Sequence, residues 1–368
     1  MWSHIATASI SLAKRVATTE EPSAPNYNLP AWAIGLLLLV FVVFLFPFLF
    51  TTYTLKTVFP VLAIIENPNP PSYEAVANDE HDDTPASTTH TDGEDAHDET
   101  GDAAAAVPIT SSLKRTFRIV RSAGGMRSSF RGLYLAVVIA FAVSAVSGIV
   151  GAIPFIPTSV AVLLATLSLV QLHVAWVHAV IRTGSTPRAF WRNLPPFRRT
   201  FEATSLPVFL SWVASAITMY IPLLVGNLLG LPSWSARTPN VVPVFNAHMI
   251  WKVAVAGVIQ LALVFLLVIP ATVVLVRVQA SLLPPDEDTI VPFDRSFGGA
   301  VEPLIVSGRG YATVRDAYRT FSRASWKRLL ILYTKVYLVS IAFNLLLAAV
   351  VIPIFVLAGS KGVKTPSN

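Results

Sequence analysis

Four consecutive residues, Pro70, Pro71, Ser72 and Tyr73, specify the clearest chemistry in the sequence. Pro-Pro-x-Tyr is bound by WW domains, because the prolines pre-form a polyproline helix that fits a groove lined by aromatic rings. The motif opens an acidic stretch in which a partner can reach it. We therefore predict a WW-binding motif, accessible to HECT-type ubiquitin ligases if the stretch faces the cytosol. The alternative is a solvated acidic linker in which the four residues occur by chance.

A second group of polar side chains interrupts long apolar runs later in the chain: His173, His178, Arg277, Gln279 and Lys335. No Asp or Glu accompanies them within these runs, although proton- and cation-coupled transporters generally need carboxylates inside the membrane. His173 and His178 are five residues apart, so their directions on a helix differ by about 140° and they do not form one pair of metal ligands. Two interpretations stay open for the group: internal hydrogen bonds of a bundle, or a polar pathway through it.

Enzyme chemistry has little support in the residue types. The chain has no cysteine, which excludes disulfides, thiolate catalysis and cysteine metal sites. The acids at 286–288 lack the spacing of a calcium loop, and we interpret them as partners for nearby arginine-rich segments. No nucleophile elbow, P-loop, zinc-protease motif or dinucleotide fingerprint occurs. We predict a non-enzymatic protein with no catalytic residues, no cofactor and no metal site.

The composition is that of a protein embedded in a membrane. Hydrophobic residues make up 54% of the 368 residues and charged residues only 13%, against roughly 25% in soluble domains. Six apolar runs reach the length of about 20 helical residues that crosses a bilayer. These runs span residues 31–53, 132–153, 158–181, 205–231, 252–280 and 330–358. The sequence therefore predicts an all-α, multi-pass membrane protein with six transmembrane helices, whose first partner is the lipid bilayer.

Charge is distributed unevenly along the chain. Residues 66–102 hold 12 of the 21 acids and no base, so the other residues carry 27 bases against nine acids. The bases concentrate in three connections between the runs, which the positive-inside rule places together on the cytoplasmic side. We interpret this excess as membrane topology and predict no nucleic-acid binding. The excess of basic residues does not distinguish an endomembrane from a mitochondrial membrane as the location.

Composition also divides the chain into segments. We expect residues 1–30 to be a flexible N-terminal segment, 31–65 to hold the first transmembrane helix and its exit, and 359–368 to be a tail. We expect residues 66–110 to be disordered, because they are too polar to bury the apolar surface that offsets the entropy of ordering. Residues 111–358 are expected to form the membrane bundle with its basic surface helices.

Two of the basic connections contain amphipathic stretches with the 3.6-residue period of a helix. Leu113, Phe117 and Val120 share one face of the first stretch, and Val314, Tyr318 and Phe321 share one face of the second. Basic helices of this kind lie at the level of the lipid head groups. Each precedes an even-numbered run, so the chain reads as three units of two spans joined by a basic surface segment.

This plan resembles the mitochondrial carrier family, in which each odd-numbered helix ends with a proline, charged residues and a glutamine at fixed spacings. Pro270, Arg277 and Gln279 occupy three of these places in the fifth run, and Pro47 and Lys56 occupy two in the first. The resemblance implies a pseudo-threefold, carrier-like bundle with helices kinked at Pro47 and Pro270, and carrier-like solute transport. The acids of the family's salt-bridge gate are missing, and no substrate is indicated.

The sequence also resembles a fungal family of multi-spanning membrane proteins that carry the label "ubiquitin carrier protein". The stretches NPNPPSYEA, LPPFRRTFEAT and VRVQASLLPPDEDTIVPFDRSFGG carry this resemblance. Chemistry opposes a literal meaning of the label, because a ubiquitin-conjugating enzyme holds ubiquitin as a thioester on a cysteine. The sequence thus leaves two hypotheses. One is a non-enzymatic, carrier-like transporter or membrane scaffold, and the other is a membrane adaptor that recruits a WW-domain ubiquitin ligase through residues 70–73.

Overall fold

The computed structural model describes residues 30–67, 108–184, 194–231, 247–302 and 308–362, which are mainly helical and include no β-strand. The all-α fold class expected from the sequence is thereby confirmed for these ranges. The chain divides into two compact units. The first unit comprises Met1–Thr51, Ala214–Val268 and Leu338–Asn368, and the second unit comprises Thr52–Val213 and Ile269–Tyr337. The N-terminal segment, most of the acidic stretch and the end of the C-terminal tail lie outside the described residues.

The helices are long at the membrane runs and short between them. Helices α1 to α6 span Ala31–Leu49, Phe59–Ile65, Leu113–Ser122, Leu133–Gly151, Thr158–Ser168 and Val170–Ile181. Helices α7 to α11 span Phe197–Leu228, Ile250–Leu263, Ile269–Ser281, Val314–Arg319 and Arg323–Gly362. Two π-helical segments, Phe50–Val58 and Val264–Val268, connect α1 to α2 and α8 to α9. Single 3-10 turns at Ile109–Ser111, Met126–Phe130 and Ala247–Met249 precede α3, α4 and α8.

Five helical stretches of the described residues are long and apolar enough to cross a membrane: Ala31–Ile65, Met126–Gly151, Phe197–Leu228, Ile250–Ser281 and Arg323–Ala358. A sixth span is present if the bent pair of α5 and α6 crosses as one. Many apolar side chains on these helices are exposed, such as Phe141 at 77% and Leu345 at 66%. Exposure to water would be unfavourable by about 25 cal/mol per Å² of apolar surface, whereas lipid chains are as apolar as the side chains themselves. The helices therefore fit an integral, multi-pass membrane protein.

The third predicted span is broken in its middle. Helices α5 and α6 meet at Leu169 with a bend of 66°. Leu169 leaves the helical region with φ −107° and ψ 20°, and its carbonyl oxygen lies 3.1 Å from His173 Nδ1. No Gly or Pro marks this break, so the continuous apolar pattern of residues 158–181 did not indicate it.

Both prolines that the sequence predicts as kinks lie close to π-helical segments. Pro47 lies near the end of α1, just before the segment Phe50–Val58. Pro270 is the second residue of α9 and follows the segment Val264–Val268. Proline lacks the N–H for a helical hydrogen bond, and local π geometry lets neighbouring groups re-satisfy the freed carbonyl. The kinks themselves stay predictions.

The start of α7 differs from the sequence prediction. The pair Pro195-Pro196 is expected to stop any long helix in the second basic connection. Instead α7 begins directly after the pair, at Phe197, and includes Arg198 and Arg199 of that connection in one helix that continues to Leu228. Prolines are well placed at a helix start, because the first N–H groups of a helix have no partner within it.

Helix α10 is shorter than the predicted amphipathic stretch. It begins with a capping box, in which Thr313 Oγ1 accepts from Asp316 N and the Asp316 carboxylate accepts from Thr313 N. It ends at Arg319, so Phe321 does not lie on it. Phe321 is 5% exposed whereas Tyr318 is 53% exposed, and the expectation that Phe321 shares one helix face with Val314 and Tyr318 is therefore wrong.

Helix α9 is central to the second unit, where it packs against α2, α6 and α10. Its Val274 and Val278 are buried together with Ala203 of α7 and Ala317 of α10. The end of α6 also packs against the loop that follows α9, since Ile290 N donates to the Ile181 carbonyl at 2.9 Å. This packing gathers the ends of several membrane helices around one loop.

In the first unit, α1 packs against the end of α11. Ala33 of α1 is buried with Ile354 and Ala358 of α11. The rings of Phe44 and Phe343 lie 6.0 Å apart, centroid to centroid. Small alanines at the contact let the two helices approach closely, which is a common way for membrane helices to associate.

Candidate functional site

A buried ion pair lies where α2 ends and α11 begins. Glu66, the C-cap residue of α2, is 2% exposed, and its Oε2 lies 3.0 Å from Arg328 Nη1. Its two carboxylate oxygens also accept hydrogen bonds from Ile109 N at 2.5 Å and from Thr110 N at 3.1 Å, and Oε2 accepts a third from Thr110 Oγ1 at 2.5 Å. We call Glu66, Ile109, Thr110 and Arg328 the clamp.

Arg328 fixes the clamp to the end of α2 from the other side. Its Nη2 donates to the carbonyl oxygens of Ala63 at 3.3 Å and of Glu66 at 3.1 Å. These two bonds satisfy carbonyls that the end of a helix leaves without partners. The carboxylate thus has both a cation and several N–H and O–H donors, which is the condition under which a buried charge is stable.

The clamp joins the two ends of the acidic stretch. Glu66 begins this stretch, and Ile109 lies 43 residues further along the chain. Asn67 N also donates to the Pro292 carbonyl at 2.8 Å, which anchors the first residue after Glu66. The predicted WW motif at residues 70–73 lies outside the described residues and begins three positions after Asn67. The clamp therefore holds together the two chain positions that flank residues 68–107.

Helix α3 continues directly from the clamp and carries a basic face. Thr116 and Val120 are buried, whereas Lys114, Arg118 and Arg121 are exposed. The helix is followed by the turn Met126–Phe130, with which the span Met126–Gly151 begins. Its place beside a membrane span and its exposed charges fit the predicted position among lipid head groups.

A second anchor holds the turn before α4. Arg131, which is 8% exposed, donates from Nη2 to the carbonyls of Arg182 and Gly184 at the end of α6. Tyr53 Oη donates to the Arg131 carbonyl at 2.5 Å, and Thr54 Oγ1 donates to the Ser129 carbonyl at 2.8 Å. The sequence SSFRG therefore connects the first span, the turn before α4 and the end of α6 through backbone carbonyls.

Gly132 is required at the following position. Its φ is +70°, and a Cβ there would lie 3.2 Å from both the Trp176 ring and the Tyr53 hydroxyl. A side chain would be strained by the backbone and crowded by these two rings. Close packing and the positive φ therefore explain the glycine at position 132.

Three residues of the predicted polar pathway lie in the second unit with structural partners. The Arg277 guanidinium lies 4.8 Å from the Phe297 ring centre and 5.2 Å from that of Phe321, and its Nη2 donates to Thr320 Oγ1 at 2.7 Å. His178 Nε2 lies 3.0 Å from the Gln279 carbonyl oxygen. These contacts correspond to the internal-bond interpretation of these residues, and a pathway role stays a prediction.

The other two predicted pathway residues have different surroundings. His173 lies on α6, four residues after the bend at Leu169, and lines a pocket of about 400 Å³ with Trp176 of α6 and Ser144 of α4. Lys335 is exposed on α11. A pathway that joins the five residues stays a prediction.

Asp294 organises the loop that holds Arg277. Its carboxylate accepts from Ser296 N at 2.9 Å, Ser296 Oγ at 2.6 Å and Gly298 N at 2.7 Å. Burial alone would raise the pKa of the Asp294 carboxyl, but these hydrogen bonds and the positive charge of Arg277 hold the pKa below its ordinary value. The loop turns at Phe297, whose φ of +52° is unusual for a residue with a side chain, and this turn places the ring against Arg277.

One of the acids after α9, Glu287, pairs with a nearby arginine. Arg182 Nη1 and Glu287 Oε1 are 2.6 Å apart, and both side chains are half-buried. Thr183 N donates to the Asp288 carbonyl at 2.7 Å. Among the described residues, no group of three or more His, Cys, Asp or Glu side chains is placed to hold a metal ion.

No feature of the sequence specifically indicates the clamp. Composition groups Glu66 with the acids of residues 66–102 and Arg328 with the basic residues of the third connection, whereas the structure brings these two residues, 262 positions apart, into contact. The available hint was that Glu66 directly follows the apolar run FPVLAII, so a helix end had to bury it.

Comparisons with protein-family models, with curated proteins and with solved structures found no match to this chain. The two family resemblances drawn from the sequence therefore stay predictions.

Proposed function

We propose that this protein is a non-enzymatic, multi-pass membrane scaffold that displays residues 68–107 to a WW-domain partner through Pro70–Tyr73. The observation that carries the proposal is the clamp. The described ends of the acidic stretch meet at one buried carboxylate, that of Glu66. The motif begins four residues after Glu66 in the sequence, and a ligase recruited there would act on membrane cargo.

The contacts of three buried arginines support a scaffold over a moving carrier. Arg131, Arg277 and Arg328 each bind carbonyls, aromatic rings or a carboxylate within the second unit. A rearrangement of the helices that carry these arginines would break several buried charge-assisted bonds, each worth about 1.5–3 kcal/mol. A rigid base with an attached recognition stretch needs no such rearrangement.

Co-sedimentation tests the proposal with the full chain. The protein is reconstituted in phosphatidylcholine vesicles and incubated with isolated WW domains of HECT-type ligases. The unmodified chain should carry WW domains into the pellet, and Tyr73→Ala should reduce this by at least about tenfold because the groove reads the aromatic ring. Ser72→Ala is the matched control, since the position before Tyr73 is variable in the motif, and it should bind as the unmodified chain does.

Tyr53 is unsuitable as a control tyrosine. Its hydroxyl donates to the Arg131 carbonyl and accepts from Trp176 Nε1 at 3.1 Å, so Tyr53→Ala would disturb the fold. Equal co-sedimentation of the Tyr73→Ala and Ser72→Ala proteins would reject WW recruitment and leave a membrane scaffold with an acidic linker.

Carrier-like solute transport is a second candidate, favoured by one observation. The third span is broken at Leu169, and a pocket of about 400 Å³ that contains His173 lies beside the break. Broken helices mark binding sites in many transporters, because unwound backbone can line a cavity. Uptake of labelled solutes into proteoliposomes that exceeds empty vesicles, and is lost in His173→Leu, would favour transport over the scaffold.

A further inference from the structure

An open cavity of about 500 Å³ lies between α7 and α8 in the first unit. It is lined by Ser215, Thr218, Met219, Pro222, Leu223, Gln260 and Val268. Three of these seven side chains carry hydroxyl or amide groups, and none is ionisable. The cavity is therefore polar but uncharged, and it adjoins the π-helical segment Val264–Val268. Single π turns inside α-helices are frequent at functional sites.

The depth of the cavity follows from the helices that form it. Lys252 Nζ donates to the Leu229 carbonyl at 2.6 Å, so the end of α7 and the start of α8 lie at one level. Thr218 precedes Leu229 by 11 residues and Gln260 follows Lys252 by eight. At 1.5 Å per residue these positions lie about 12–16 Å from that level, which is near the middle of a hydrocarbon core of about 30 Å.

Two polar side chains at this depth, those of Thr218 and Gln260, determine what the cavity can recognise. Thr218 is 5% exposed, and its hydroxyl has no hydrogen-bond partner in the described part of the chain. A helical threonine ordinarily satisfies its hydroxyl with the carbonyl one turn earlier, as Thr166 does with Val162 at 2.8 Å. The Gln260 side chain is exposed on a span where no water is present to solvate it.

The rim of the cavity is apolar and open. Met219 and Leu223, one helical turn apart on α7, are 59% and 54% exposed. A ligand therefore enters from the surrounding lipid with an apolar body against this rim, and it brings hydrogen-bonding groups to Thr218 and Gln260. A charged head group is disfavoured, because no lining residue would compensate it at this depth.

We infer that the cavity formed by Thr218, Gln260 and their neighbours binds an uncharged bilayer lipid with a hydroxyl-bearing head group, of which diacylglycerol is the simplest. The hydroxyl can both donate to the Gln260 amide oxygen and accept from Thr218, and the acyl chains lie along the apolar rim. A phospholipid keeps its head group at the interface, whereas a diacylglycerol head can reach the bilayer middle. This site goes beyond the proposed recruitment of WW domains and does not depend on it.

Photolabelling of the full chain tests the inference. The protein is reconstituted in phosphatidylcholine vesicles with a trace of radiolabelled diacylglycerol that carries a diazirine on one acyl chain. On the unmodified protein, label should attach within residues 214–268 and should be displaced by dioleoylglycerol. Trioleoylglycerol, which has no hydroxyl, and glycerol, which is water-borne, should not displace it.

Substitutions provide the second arm. Thr218→Val and Gln260→Leu keep side-chain size and remove hydrogen-bonding groups, and together they should reduce displaceable labelling by about tenfold. Thr166→Val is the control, because that hydroxyl is bonded within its own helix and lies in the second unit. Thermal unfolding of the double variant checks that the chain is folded, and the competition on the unmodified protein needs no variant.

Three results would overturn the inference. Trioleoylglycerol could compete as well as dioleoylglycerol, which would mean that only apolar contact is recognised. Glycerol could displace the label, which would identify a water-borne polyol as the ligand. Finally, Gln260→Cys could form a disulfide between two chains in vesicles, which would mean that a second copy covers the cavity.

Discussion

Replacing Glu66 by Gln perturbs the clamp with the least change in shape. The carboxylate is 2% exposed, accepts bonds from residues 109 and 110, and lies 3.0 Å from Arg328 Nη1. Removing one partner of a buried ion pair costs about 3–5 kcal/mol, because the other charge is left buried without compensation. Glutamine keeps one carbonyl oxygen for a backbone donor, so we expect a loss of about 3 kcal/mol in the free energy of unfolding.

A second substitution separates the pair from its surroundings. Arg328→Met keeps an unbranched apolar stem and removes the guanidinium, and it should also cost about 3 kcal/mol. In the double variant neither charge is left alone. We expect the loss of the double variant to be smaller than the sum of the single losses by at least about 1 kcal/mol.

Denaturant titration of the purified chain in lipid bicelles measures these free energies. Glu202→Gln is the control, because the Glu202–Arg198 pair lies on the helix surface with side chains 51% and 93% exposed. Such a pair contributes about 0.5 kcal/mol or less. Strict additivity of the two clamp substitutions, or a loss in Glu66→Gln no larger than in Glu202→Gln, would refute the clamp as a coupled buried pair.

Three further predictions concern the ordered loop and the topology. Arg277→Met removes two desolvated ring contacts and the bond to Thr320, so unfolding should become easier by about 2 kcal/mol, and a change below about 0.5 kcal/mol in the same titration would contradict that role. The folded chain holds the pKa of Asp294 below its ordinary 3.8, so this contribution to stability is present above pH 3.8 and is lost as the pH falls through the lower, folded pKa. Asp294→Asn should therefore flatten the acid limb of a plot of Tm against pH. An unchanged acid limb would contradict the contribution of the Asp294 carboxylate to stability. Because the chain has no cysteine, Asp95→Cys and Arg309→Cys report topology directly, and a membrane-impermeant maleimide should label both from the same side of sealed vesicles. Labelling from opposite sides would reject the positive-inside assignment.

The membrane character of the fold was predictable because it depends on long local patterns. Runs of about 20 apolar residues form helices in a bilayer, so the approximate bounds of the spans follow from hydropathy. The observed bounds differ from the predicted ones where a neighbouring segment extends the helix. Helix α7, for example, begins at Phe197 after a proline pair, before the predicted start at residue 205. The break at Leu169 was not predictable, because it depends on packing around an otherwise regular apolar run.

The contacts between distant segments were beyond the sequence. Hydropathy shows that Arg277 interrupts one apolar run and that Arg328 precedes another. It does not show that Arg277 contacts two aromatic rings or that Arg328 meets Glu66. Such partners are set by three-dimensional packing across hundreds of residues. The cavity beside Thr218 was missed for a related reason, since an isolated Thr or Gln in an apolar run is compatible with an internal hydrogen bond.

The affinity of WW domains for a peptide of residues 64–80 is the most direct measurement of the claim that this protein recruits such a partner. Fluorescence anisotropy titrations should compare the natural peptide with its Tyr73→Ala and Ser72→Ala versions across several WW domains. We expect the natural and Ser72→Ala peptides to bind alike and the Tyr73→Ala peptide to bind at least about tenfold more weakly. Equal affinities of the natural and Tyr73→Ala peptides for every domain would contradict the claim.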